Sequence, residues 1–415
     1  MVKNLRDRNL RPEATISCVW AVSTIYHDIM CITSKAIKGL AVTECLMFHI
    51  QNYYKHELTL KSYRKISAKM GDSKTLKPGT IVGFCNPLLD MMVVGDQNLL
   101  KKYDLLSNNA ILADNKHMPL YEELMNNSKV EYTAGGSAQN SLRVVQWILK
   151  KPNVSVFFGA VGKDKFSEIL KVKANEDGLD TKYQYSTEKP TGTCAVVVTN
   201  NGKDRSLCAN LSAAKTFTED HLEVPENKSI IENASFYLVT GFFLQVNPKA
   251  VQILVKIAFE RKCTFLFNMS ASFVFKFCMD SVKSIFPFVN IIVGNDEEAK
   301  AFSDGYEWNL DSVEKIACKM STFDVENIGN RLVVITQGEN PVIVTQNGVV
   351  TKYSVNKIPA DKIIDSNGAG DAFIGGFISK YILGCPIEEC VSCGIDAGSY
   401  IIQQPGITKD DSFNL

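Results

Sequence analysis

The feature that most restricts the fold is a series of short apolar runs, rich in β-branched residues, spaced along the chain from residue 80 onward. The run at 80–85 ends at Asn86-Pro87, that at 154–158 at Gly159, and that at 235–239 at Thr240-Gly241. Residues 264–267 lead into Asn268, 291–293 into Gly294-Asn295, and 332–335 into Thr336-Gln337-Gly338. Such runs predict strands buried on both faces, and the helical patterns between them predict parallel crossovers. The expected fold class is α/β, a mostly parallel central sheet with helices on both faces. In open α/β sheets, sites gather at the carboxyl ends of strands, so the small and polar endings mark where chemistry is expected.

One stretch breaks this rhythm. Residues 191–199, then Asn200-Asn201-Gly202, then 205–211 read as a hairpin turning at an Asn-Gly pair. It lies outside a parallel order and predicts a small β-sheet lid, built from about residues 90–135 and 186–215. Lids exclude water from reactive groups. Residues 80–415 then form one domain with its lid, and 1–79 an N-terminal extension of unassigned role. Between 16 and 50 the apolar pattern is broken by His27, Asp28, Lys35, Lys38 and Glu44, which leaves no uncharged run to cross a bilayer. Asp7, Glu13 and Asp28 oppose the acid-poor composition of a mitochondrial targeting segment.

Composition excludes more than it assigns. Lys+Arg and Asp+Glu both number 45, so no net field draws the chain to nucleic acid or a membrane. Of twelve cysteines only Cys390 and Cys393 have C-x-x-C spacing, with no second pair or histidine cluster nearby. Buried thiols of a reducing compartment, the cytoplasm or alternatively the nucleus, fit this better than zinc. The five histidines (His27, His49, His56, His117 and His221) are scattered. Acid–base work therefore falls to a carboxylate.

Asp365-Ser366-Asn367-Gly368-Ala369-Gly370-Asp371 supplies one, running straight into an apolar helix at Ala372-Phe373-Ile374-Gly375-Gly376-Phe377. Free backbone N–H groups and the positive helix end form an anion site there. A carboxylate inside such a site suits a base beside a phosphate cradle. The same residues would also serve as a plain N-cap and turn. The glycine spacing is not that of a dinucleotide fingerprint. Gly162-Lys163-Asp164 lacks the Ser or Thr of a Walker loop, and position 157 is Phe.

Ala134-Gly135-Gly136-Ser137-Ala138-Gln139-Asn140, Asn295-x-x-Glu298, Thr336-Gln337-Gly338 and the Gly-Ala-Gly-Asp turn occur in this order. Together they resemble the ribokinase-like (PfkB) carbohydrate kinase family. The runs 83–90, 157–166, 190–194, 205–211 and 241–244 are similar to the branch that phosphorylates adenosine. The resemblance implies a ribokinase-like fold whose partners are the small molecules adenosine and ATP, with Mg²⁺ and a monomeric state.

It further implies roles by position. Asp371 would take the proton from the attacking hydroxyl, and Gly368, Ala369 and Gly370 would stabilise the transferring phosphoryl group. Arg205 would swing in from the lid to phosphate oxygens. Asp90 would accept from the ribose hydroxyls, with Gly135, Gly136, Ser137, Asn140 and Asn86 around the sugar. Adenine would lie among Leu88, Leu112, Leu207, Ala209, Phe243 and Phe273. ATP would contact Asn295, Thr336, Gly338 and Asn367, with Asn295 and Glu298 toward Mg²⁺. Ser366, Ala110 and Ile395 depart from residues common in the family (Thr, Gln and His), which bears on affinity and nucleobase selectivity.

Overall fold

The computed structural model describes residues 76–415, apart from 108, 128, 201–203, 326 and 411. The extension expected at 1–79 lies outside the described residues up to position 75, as does most of the predicted Asn-Gly turn. Among the described residues the strands are β1 (Ile81–Phe84), β2 (Leu88–Val94), β3 (Ala110–Leu112), β4 (Glu131–Gly135), β5 (Ser155–Gly162), β6 (Asp180–Ser186) and β7 (Thr193–Thr199). They continue as β8 (Asp204–Asn210), β9 (Phe236–Thr240), β10 (Thr264–Asn268), β11 (Ile291–Asn295), β12 (Leu332–Gln337), β13 (Asn340–Gln346) and β14 (Val349–Tyr353).

Every apolar run named above becomes a strand of one nine-stranded sheet, in the order β14-β13-β12-β11-β10-β9-β1-β5-β6. Pairing is parallel from β12 through to β6. β1, β5 and β9 are buried along their whole length because helices cover both faces. Alternate residues feed opposite cores: Val82 and Phe84 pack with Phe158, Phe243 and Phe267 on one face, and Ile81 with Leu142 and Phe377 on the other. The antiparallel hairpin β13–β14 closes one edge. It was not among the expected strands.

A second sheet has the order β3-β8-β7-β2-β4. The expected hairpin is β7 with β8, antiparallel, while β2 joins β7 in parallel and β4 in antiparallel sense. Period-2 geometry sorts its side chains. Met91, Val93, Ala195, Val197 and Cys208 form a core with Leu120, Tyr121 and Leu124 of the helix Met118–Met125. The opposite face carries Asp90, Met92, Cys194, Val196, Arg205, Leu207 and Ala209, all of which line one cavity.

That cavity is floored by the helix Ala369–Ile382, which lies between the helices Ser137–Leu149 and Ile387–Ile401. Two glycines permit the approach. A Cβ on Gly375 would stand 2.6 Å from the Ser141 carbonyl oxygen, and one on Gly376 would collide with the Cys393 carbonyl. We expect Gly375→Ala to lower Tm by a few degrees. Overpacking against backbone costs about 1–3 kcal/mol, more than the roughly 1 kcal/mol of helix propensity that alanine adds. A thermal melt with Tm unchanged or raised would show that the close contact carries no weight.

Candidate active site

β1 pairs with β9 on one side and β5 on the other, and from this pair the two halves of the sheet run outward in opposite directions. A crevice opens at the carboxyl ends of strands at such a switch point. Here it is a cavity of about 590 Å³, within the usual range for a small-molecule site, roofed by the small sheet.

Asp371 occupies its floor, in the first turn of its helix behind the left-handed Gly368 (φ 78°). Ser137 donates from Oγ to one carboxylate oxygen at 2.6 Å, and Asn140 donates from Nδ2 to the other at 3.1 Å. Asn268, at the end of β10, donates to Ser137 Oγ at 3.1 Å and so orients that hydroxyl. Burial pushes the Asp371 carboxyl up to about 6, and the two donors offset part of that rise. The group is therefore ionised at neutral pH yet basic enough to accept a proton. The structure thus places Ser137 and Asn140, expected beside the sugar, against the base itself.

Asp90 faces the same space from β2. Its carboxyl is pushed up to about 7 chiefly by burial, with Arg143 opposing and Asp371 adding to the rise. Gly135 is not on the cavity wall; it is glycine because any Cβ there would collide with the Asp90 carboxylate. Gly136 does line the cavity, in a positive-φ conformation (97°) where a Cβ would also press on the Asn86 carbonyl oxygen at 2.5 Å. Asn86 lines the wall and donates to the Phe242 carbonyl at 3.3 Å.

The other end of the cavity holds Asn295, Glu298, Thr336 and Asn367. Asn295 caps the helix Asp296–Gly305. Its Oδ1 accepts from the Glu298 N–H, and both Glu298 oxygens accept from Asn295, at 3.0 Å from the backbone N–H and 3.0 Å from Nδ2. Burial pushes Glu298 up to about 7, with Asp371 adding to it. A buried carboxylate with no Lys or Arg paired to it among the described residues suits a hydrated divalent cation.

Arg205 is not a solvated hairpin charge. It is buried, and its Nε lies 3.1 Å from Asp365 Oδ2. Asp365 in turn accepts from the N–H of Asn367 (2.9 Å) and of Gly406 (3.0 Å), which shapes the loop before Gly368. The ion pair therefore ties the small sheet to the anion loop.

The apolar wall includes Leu88, Leu207, Ala209, the more exposed Leu112, and Phe273. Phe243 is a correction: it is fully buried in the core against Phe84 and Phe217, and its neighbour Phe242 lines the cavity, 5.9 Å from the Phe273 ring. Successive residues of the helix Gly241–Val246 point about 100° apart, so only one of the pair can face the cavity. Gly338 lies on the exposed β12–β13 turn and Ala369 on the first helical turn, both off the cavity wall, whereas Gly368 and Gly370 line it. Asn268, Asp365 and Phe242 were missed as site residues. A polar residue closing a buried strand was the available signal for Asn268.

The pfkB family carbohydrate kinases match residues 97–412. The chain belongs to that family. "Adenosine kinase 1" of Arabidopsis thaliana is 44% identical over 331 residues, 80% of this chain and 96% of that protein. An adenosine kinase of Dictyostelium discoideum is 41% identical over 324 residues, 78% of this chain and 94% of its own length. The solved Anopheles gambiae adenosine kinase, bound to P1,P4-di(adenosine-5) tetraphosphate, has TM-score 0.76 and 41% identity, covering 81% of this chain and all of that one. The Schistosoma mansoni adenosine kinase with 2-fluoroadenosine has TM-score 0.75 and 33% identity, covering 81% of this chain and 98% of that one. Among the described residues no helix is long and apolar enough to cross a membrane.

Asp90 has a raised folded pKa, so the stability linked to it is full below about pH 4 and lost as pH rises through about 7. We expect Asp90→Asn to raise Tm at about pH 8 by a few degrees and to leave it nearly unchanged at about pH 4. Melts across this range check the sign; a difference independent of pH would separate Asp90 from the linkage.

Proposed function

We propose that the chain is an adenosine kinase, transferring the γ-phosphate of ATP to the 5′-hydroxyl of adenosine to give AMP and ADP, a step of purine salvage. The observation that carries this is Asp371, ionised and oriented by Ser137 and Asn140, beside the Gly368–Gly370 backbone. A hydroxyl placed there loses its proton to Asp371 as its oxygen attacks phosphorus. The N–H groups of the first helical turn stabilise charge on the transferring oxygens without reorganising.

Specificity follows from the same walls. Asp90 accepts from both vicinal ribose hydroxyls, which a deoxyribose cannot satisfy, at a cost of about 1–3 kcal/mol. The purine lies in the slot of Leu88, Leu112, Leu207, Ala209 and Phe273, with Phe242 in place of Phe243. ATP takes the end marked by Asn295, Thr336 and Asn367, with Gly338 at its rim. Glu298 and Asn295 would hold Mg²⁺ at this end, where the ion would supply charge neutralisation to the phosphates. Arg205 exchanges Asp365 for phosphate oxygens, and its planar fork suits both partners. The small sheet acts as the lid. The chain acts as a monomer, and the free cysteines among the described residues fit a reducing compartment such as the cytoplasm.

Three outcomes are expected. Labelled adenosine with ATP and Mg²⁺ gives labelled AMP, and omitting Mg²⁺ abolishes it; faster turnover of inosine, guanosine, ribose or fructose would replace adenosine as the substrate. Asp371→Asn keeps adenosine affinity but loses about 10²–10⁴ in kcat, and near-normal turnover would remove the base. Arg205→Ala lowers kcat more than it weakens adenosine binding; equal losses would deny it a transition-state role.

A further inference from the structure

Arg143 lies inside the helix Ser137–Leu149, on the side turned away from solvent, and is buried. Its guanidinium is spread over four acceptors. Nε meets Asp177 Oδ2 at 2.6 Å, and Nη2 donates to the Ile407 carbonyl at 3.1 Å. Nη1 donates to the Ala134 carbonyl at 2.9 Å and reaches the Asn140 Oδ1 at 3.4 Å. Asp177 is itself fixed by the Trp147 indole N–H at 2.7 Å. The cation itself does not line the cavity, yet it meets the one amide that donates to Asp371.

An asparagine amide can present either its nitrogen or its oxygen. With the nitrogen forward, Asn140 stabilises an ionised Asp371; with the oxygen forward it would face lone pairs and demand a proton on that acid. A cation behind Oδ1 decides between the two. We propose that Arg143 is a positioning residue for proton transfer, holding Asn140 so that its Nδ2, not its Oδ1, faces Asp371. The same guanidinium secures Ile407, whose side chain lies 2.5 Å from where a Cβ on Gly368 would stand, so the base and the anion turn share one support. This deepens the adenosine kinase reading and rests on it.

Other groups also face Asp371: Asp90 from β2, Glu298 from the helix Asp296–Gly305 and Cys85 after β1, with Arg205 of β8 and Asp365 of the anion loop farther along the cavity. The test therefore reads single-turnover phosphoryl transfer at saturating adenosine and ATP, where the ribose covers Asp90. Arg143→Met/Asp177→Asn removes the buried pair together and leaves no orphan charge. The acid limb of its rate profile is expected to move up by about half a pH unit or more, so that the rate falls at least about twofold more near pH 6 than near pH 8. Asn140→Ala is expected to move the limb the same way, and adding it to the double variant to move it no further. A double variant with lower Tm but an unmoved limb would leave Arg143 merely structural and overturn the proposal. So would an unmoved limb in Asn140→Ala, whether or not the Arg143 variants fold, or full additivity in the triple variant. Absence of AMP formation by the unmodified enzyme would instead remove the adenosine kinase reading.

Discussion

The contact on which the site depends is the backbone-to-backbone approach of the helices Ser137–Leu149 and Ala369–Ile382 at Gly375. Side chains between them would hold helix axes 8–10 Å apart, and larger ones farther. The glycine lets Ser137 Oγ come within 2.6 Å of Asp371 and Asn140 within 3.1 Å. Without those donors, burial alone would favour a neutral acid, which cannot accept a proton.

Four acidic side chains, Asp90, Glu298, Asp365 and Asp371, share one cavity with Arg205, while Arg143 stands just behind its wall. The cavity's own carboxylates thus outnumber its cationic side chains. Substrate hydroxyls, a divalent ion and the resident arginines are what such a cavity is built to receive. The resting fold carries the cost as raised carboxylate pKa values.

The large sheet was legible because its strands are uniformly apolar and end in small or polar residues; each run from 80 to 335 became a strand. The β13–β14 hairpin was not: β14 is a mostly exposed edge strand with little apolar pattern, and the short buried run of β13 begins directly after a proline. In the site, Asp371, Asp90 and the glycines were legible from turn chemistry and resemblance. Their partnership was not, because Ser137 and Asn140 reach Asp371, and Asn268 reaches Ser137, across gaps of more than 100 residues in the chain. The choice between Phe242 and Phe243 depends on the phase of a six-residue helix, which no local signal fixes.

The parallel pairing of β2 with β7 has a consequence for assembly. β5 and β6, which belong to the large sheet, are threaded between them in the chain. The small sheet is thus two excursions stitched together at a distance, and no single cut releases it. Its seam closes a loop of about 100 residues, an entropic cost reduced once the intervening strands have docked, so the roof of the site is completed after its walls.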